Sequence, residues 1–103
     1  MNSNVALSIV VPIYNEEESL PFLVNQLLDI LNPMNETFEL VLVNDGSLDK
    51  SADVIRKLSF EIPELVGVLL RKNYGQTAAM AAGFDISSGE IVVTLDGDLQ
   101  NDP

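Results

Sequence analysis

Residues 38–47 read Phe-Glu-Leu-Val-Leu-Val-Asn-Asp-Gly-Ser. Leu40-Val41-Leu42-Val43 lacks the polar alternation of a half-exposed strand, so a strand here is buried on both faces. The apolar run then stops at Asn44-Asp45-Gly46-Ser47, which is turn chemistry. Three further runs share the pattern: residues 6–11 (ALSIVV), ended by Pro12, residues 65–70 (LVGVLL) and residues 90–95 (EIVVTL). Between the first two, Leu20, Leu23, Val24, Leu27, Leu28 and Leu31 recur at helical spacing and stop at Asn32-Pro33. Asn15 is placed to cap that helix, with Glu18 three residues on. Ser47 or Asp49 is placed to cap a second helix whose inner face is Ala52, Ile55 and Leu58. Residues 76–86 read as a third helix, rich in small side chains. Strand and helix alternate throughout, which predicts right-handed crossovers and a parallel sheet with helices on both faces.

In such a sheet ligands bind at the carboxyl ends of the strands. Those ends read Pro12-Ile13-Tyr14-Asn15-Glu16, Asn44-Asp45-Gly46-Ser47, Arg71-Lys72-Asn73-Tyr74-Gly75 and Asp96-Gly97-Asp98. Nearly all the chemically capable residues therefore gather on one edge of the expected sheet.

Composition narrows what that edge can bind. The 103 residues suffice for one small domain, and 47% of them are hydrophobic. Sixteen acids against five bases give a formal net charge of −11, which argues against nucleic acid as a partner because its backbone demands clustered cations. The balance suits a metal, or a phosphorylated ligand held through one. Without cysteine there is no disulfide or thiol chemistry, and without histidine the commonest general base is missing. No run approaches the roughly 20 apolar residues that cross a bilayer, and no basic-then-apolar leader precedes the first strand, so the segment reads as soluble.

Asp96 and Asp98 lie two apart in an extended segment, so both carboxylates leave the strand end on one side. At about 4 Å two such charges repel by roughly 1 kcal/mol in water and roughly 4 kcal/mol near a protein surface. A divalent cation reverses the sign of that interaction, and hard oxygen ligands select Mg²⁺ or Mn²⁺ over zinc, with Gln100 a further oxygen donor. The alternative is a solvated Asp-Gly turn. Asp45 is either the edge of a turn and helix, where an acid suits the dipole, or an acceptor for a nucleoside. Tyr14 offers a flat face for a base. Glu17 and Glu18 read as structural, and Ala78, Ala79, Ala81, Ala82 and Gly83 as close helix–sheet packing. No G-x-G-x-x-G follows the first strand, which argues against a dinucleotide cofactor.

Four segments occur in order: V-V-P-I-Y-N-E at 10–16, V-N-D-G-S at 43–47, R-K-N-Y-G-Q-T-A-A-M-A-A-G at 71–83 and D-G-D-L-Q-N-D-P at 96–103. Together they resemble the N-terminal half of a family 2 glycosyltransferase with the GT-A fold, and most of all its polyprenyl-phosphate branch. The resemblance implies a Rossmann-like three-layer α/β/α architecture with a mainly parallel sheet, residues 1–103 being the nucleotide-sugar-binding half. It implies that Pro12, Tyr14 and Glu16 line the nucleobase and ribose pocket. Val43 and Asp45 would hold the base, Arg71 would sit in a basic segment beside the donor, and Asp96 and Gly97 would touch the nucleoside diphosphate. Asp98 and Gln100, with Asp96 beside them, would ligate Mg²⁺ or Mn²⁺.

The activity so implied is metal-dependent, inverting transfer of a hexose from a UDP- or GDP-linked donor to an undecaprenyl or dolichyl phosphate. The acceptor-side catalytic residue is expected beyond residue 103. The whole enzyme is expected at the cytoplasmic face of a membrane, held by C-terminal helices, and is open to homo-oligomer formation. The other readings are a family 2 enzyme with a carbohydrate acceptor, a non-catalytic nucleotide- or cation-binding module, and a receiver-like phosphoacceptor domain. Residues 1–103 in isolation are expected to expose the edge of the fourth strand and to associate.

Overall fold

The computed structural model describes residues 5–95. Strands β1 (Leu7–Ile13), β2 (Phe38–Asn44), β3 (Leu65–Leu69) and β4 (Ile91–Thr94) alternate with helices α1 (Leu20–Leu31), α2 (Ser51–Glu61) and α3 (Gln76–Ile86). The strands form one sheet in the order β3-β2-β1-β4, and every pairing is parallel. Leu7 pairs with both Phe38 and Ile91, so β1 lies in the middle with β2 and β4 on either side.

The continuous apolar runs have the expected cause. Along β1 and β2, Ile9, Val11, Ile13, Leu40 and Leu42 point to a large core closed by Leu20, Leu23, Val24 and Leu27 of α1 and Ile55 of α2. The alternate residues Val10, Val41 and Val43 point to the opposite face, where Ala79 of α3 meets them. Both faces of the central strands are therefore covered, and their middle positions are apolar on either side, with Ser8, Glu39 and Asn44 confined to the strand ends. Each fully buried Leu, Ile or Val stabilises the fold by roughly 1.5–3 kcal/mol. Gly83 shows how tightly α3 packs: a Cβ built there would meet Val10 Cγ1 at 2.4 Å and Val43 Cγ2 at 3.1 Å.

Several local expectations need correction. β1 runs through Pro12 to Ile13 instead of ending at the proline. The Val10 carbonyl accepts from Leu95 N, and the Ile13 carbonyl from Asp45 N, so alternate residues face β4 and β2. Pro12 shares the β4 side, beyond the last described β1–β4 pair (Val10 with Thr94), where its missing N–H breaks no described ladder bond. Asn15 does not cap α1. Its backbone is left-handed (φ 54°), and the residue preceding α1 is Ser19, with a proline in the first turn. Ser47 does not cap α2 either; Lys50 precedes that helix, and Asp49 Oδ1 accepts from Ser51 N instead.

At the amino edge of the sheet, Glu39 Oε2 accepts from Ser8 Oγ (2.6 Å) and Ser88 N (2.7 Å), and Ser8 Oγ accepts from Gly89 N (2.8 Å). These bonds fix the turn that leads from α3 into β4, and so fix β4 beside β1.

Candidate functional site

The chain runs from β1 to β2 to β3 in one direction, with α1 and α2 on one face. It then returns over the other face through α3 to reach the far side of β1. The reversal leaves a crevice at the carboxyl end of β1, the place where open α/β sheets hold ligands. A cleft of about 350 Å³ occupies it.

One wall is the end of β1 and the loop after it: Pro12, Ile13, Tyr14 and Glu16. Tyr14 is 43% exposed, with its ring available to a planar ligand. The Glu16 carboxylate accepts from Ser19 Oγ (3.0 Å), which holds the acid near the start of α1, where the helix dipole favours a negative charge.

Asp45 forms the floor. It is only 4% exposed, and its carboxylate accepts from Tyr74 N (2.8 Å), Gly75 N (3.0 Å) and Asn73 Nδ2 (3.1 Å). The buried charge thus ties β2 to the β3–α3 loop. Gly46 makes that approach possible: at φ +66° a Cβ there would lie 2.1 Å from the Lys72 carbonyl carbon. Asn73, Gly75 and Gln76 complete the other wall, which places the first turn of α3 against the cleft. Gly75, at φ 104° and ψ 157°, holds a backbone conformation essentially confined to glycine.

The structure therefore brings Pro12, Tyr14, Glu16 and Asp45 together. It does not bring in the side chain of Val43, which is fully buried against α3. Arg71 lines a neighbouring cleft of about 380 Å³ with Arg56 and Lys72, which Tyr14 and Asn73 also border. Lys72 Nζ stands 5.5 Å from the Tyr74 ring centroid. Asp96, Gly97, Asp98 and Gln100 lie outside the described residues. Among the described residues no group of three or more His, Cys, Asp or Glu could hold a metal ion.

Asn73, Gly75 and Gln76 were not singled out from sequence as lining residues. The tight Asn-x-Gly spacing after a strand was the available signal, and only the depth of Asp45 reveals its use. Asp49, on the β2–α2 loop, has a shifted titration. Partial burial pushes its carboxyl up, but hydrogen bonds from the Ser51 hydroxyl and from the N–H groups of Ser51, Glu17 and Asp49 outweigh it. The net effect holds the group below the ordinary carboxylate value.

The model of the glycosyl transferase family 2 matches residues 8–103. The chain belongs to glycosyltransferase family 2. This family 2 chain is 46% identical to an undecaprenyl-phosphate 4-deoxy-4-formamido-L-arabinose transferase of Aeromonas hydrophila, over 99% of its own length and 32% of the relative's. It is 48% identical to the enzyme of that name from Photorhabdus laumondii, over 94% of the chain and 30% of the relative. The family 2 chain thus spans about a third of the length of these curated relatives.

Among solved structures, it superposes on residues 1–349 of S. aureus TarS with a TM-score of 0.78 at 29% identity, covering 91% of the chain and 28% of that structure. TarS has also been solved with UDP-GlcNAc. A mannosyltransferase from Pyrobaculum calidifontis, in complex with GDP-Man and Mn²⁺, superposes with a TM-score of 0.71 at 26% identity, covering 93% of the chain and 28% of that structure. The fold is the Rossmann-like α/β architecture of the GT-A glycosyltransferases.

Proposed function

We propose that residues 1–103 form the donor-binding half of an inverting glycosyltransferase that moves a hexose from a nucleoside-diphosphate sugar to a polyprenyl phosphate. The observation that carries this reading is the cleft at the β1 carboxyl end, which gathers Pro12, Tyr14 and Glu16 from β1 and its loop with Asp45 from the end of β2. The polyprenyl-phosphate acceptor is supported by the names of the relatives.

Tyr14 presents a ring for the base, and Pro12 and Ile13 give the apolar edge against which it lies. Asp45 Oδ1 accepts one loop hydrogen bond and Oδ2 accepts two. A carboxylate offers about four lone-pair directions, so Asp45 can hold the loop and still accept a base N–H from the cleft. Gly75 and Gln76 set the positive end of the α3 dipole toward the cleft, where a diphosphate would be stabilised. Arg71 and Lys72 add a positive field from the adjoining cleft.

A divalent cation fits the donor set expected next to this cleft. Asp96, Asp98 and Gln100 offer only hard oxygen ligands, which suit Mg²⁺ or Mn²⁺. The bond from Leu95 N to the Val10 carbonyl (2.9 Å) keeps the strand leading to them beside β1. Held by these residues, the ion would supply charge neutralisation of the departing diphosphate. The attacking group in this reading is a phosphate oxygen, already ionised at neutral pH, so the demand for a general base is modest. The whole enzyme acts at a membrane surface, where its lipid acceptor resides.

The test is calorimetry on the complete protein with UDP-sugars and GDP-mannose, with and without Mn²⁺. Metal-dependent binding of one donor is expected, and absence of any such binding overturns the reading. Asp98→Ala should abolish the metal-dependent part of donor binding and leave thermal melting unchanged. Loss of folding without a metal effect would make Asp98 a structural residue.

A further inference from the structure

The loop that carries Tyr14 and Glu16 has no ladder of its own to hold it, yet three successive N–H groups in it are bonded to the neighbouring loop. Asn15 N donates to Ser47 Oγ (2.9 Å), Glu16 N to Ser51 Oγ (2.8 Å) and Glu17 N to Asp49 Oδ2 (3.2 Å). The return bonds run from Leu48 N and Asp49 N to Asn15 Oδ1 (2.7 and 3.3 Å) and from Lys50 N to Glu17 Oε1 (3.0 Å). The side chains of each loop thus satisfy the backbone of the other. Asn15 is central because its one oxygen takes two of these donors, and its left-handed backbone aims it there.

From this interlock we infer that Asn15 is a positioning residue for nucleotide binding. It ties the β1–α1 loop to the β2–α2 loop so that Tyr14 and Glu16 stand preorganised in the cleft. The geometry explains the choice of residue. Asparagine tolerates the left-handed region and offers a short acceptor, a pair of properties shared only by aspartate. Asn15 itself is not among the residues lining the cleft, so it acts through its neighbours on either side. Preorganisation of this kind raises affinity by removing the cost of ordering a loop on binding.

The inference rests on the donor-site reading, and its test separates the two. UDP and GDP are titrated with Mn²⁺ into the complete protein and its variants, and melting is recorded for each. Asn15→Gly keeps the backbone freedom and removes the acceptor. Its Kd for the nucleotide that binds wild type should rise about tenfold, which corresponds to about 1.4 kcal/mol. Asn15→Asp keeps the acceptor oxygen and loses only the amide donor, and should bind within about threefold of wild type, a rescue that a role resting on the amide N–H does not give. Ser47→Ala should move Kd in the same direction as Asn15→Gly by a smaller factor. Leu58→Ala, which loosens the core away from these loops, should lower melting and leave Kd unchanged. An Asn15→Gly variant that binds as wild type does, or a Leu58→Ala variant weakened equally, overturns the positioning role alone. A wild-type protein that binds neither nucleotide overturns the donor reading and this inference with it.

Discussion

Gly46 has no room for a methyl group. Its backbone sits at φ +66°, and a Cβ would press into the backbone of Lys72 and Asn73. Gly46→Ala should therefore cost about 3 kcal/mol or more, combining left-handed strain with a forced retreat of the β3–α3 loop. Urea unfolding measures this as a lower midpoint. Asp49 makes a prediction about pH. Its folded pKa lies below the ordinary value, so its contribution is full above that value and is lost as pH falls through the folded one. The melting difference between wild type and Asp49→Asn should thus be largest near neutral pH and shrink in acid below about pH 4, the unfolded carboxylate range. At this scale sequence was a partial guide. Asp45 and Tyr14 were legible as edge residues because strand ends are legible. The role of Asn15 was not, because Asn-x-x-Glu ahead of a helix looks the same whether the amide caps its own helix or a loop more than thirty residues away. Only tertiary contact distinguishes those cases.

Helix α3 shows how an element is selected by its neighbours. It buries only Ala79 and Gly83, and the glycine faces Val10 directly. Gly83→Ala gains about 1 kcal/mol of helix propensity, yet overpacking against Val10 costs about 1–3 kcal/mol, so the net should be destabilising. Val10→Ala opens the space that the new methyl needs. The double variant should be at least about 1 kcal/mol more stable than the sum of the single changes predicts. Additive losses in a denaturant cycle would show that the methyl is accommodated elsewhere. Periodicity announced α1, and a run of small residues α3, because a six-residue leucine–valine stripe and a small-residue run both survive without tertiary knowledge. Boundaries near Pro12 and Ser51 were less legible, since the sheet and the facing loop decide them.

For the whole molecule, the alternation of buried strands with helices was enough to indicate a parallel sheet, but not its order. Nothing local states that β4 lies against β1. That order leaves β3 and β4 at the ends of the described sheet, and β4 is unusually apolar for such a place: Ile91 is 62% exposed, and Val92 and Val93 each 37%. A polypeptide of these 103 residues should self-associate through this strand. Ile91→Lys, which places a charge on the exposed strand, should shift it toward monomer in sedimentation. An unchanged distribution would place the association elsewhere.

The β3-β2-β1-β4 order also sets a timetable for synthesis. Chains emerge amino end first, and β1, β2 and β3 can assemble with α1 and α2 while β4 is still inside the ribosome. Until β4 arrives, one side of β1 has no strand partner, although the residues that line the cleft, from Pro12 to Gln76, all precede it in the chain. The first strand to leave the ribosome must wait for the last one of this segment, and a holding chaperone would find its open edge during that interval.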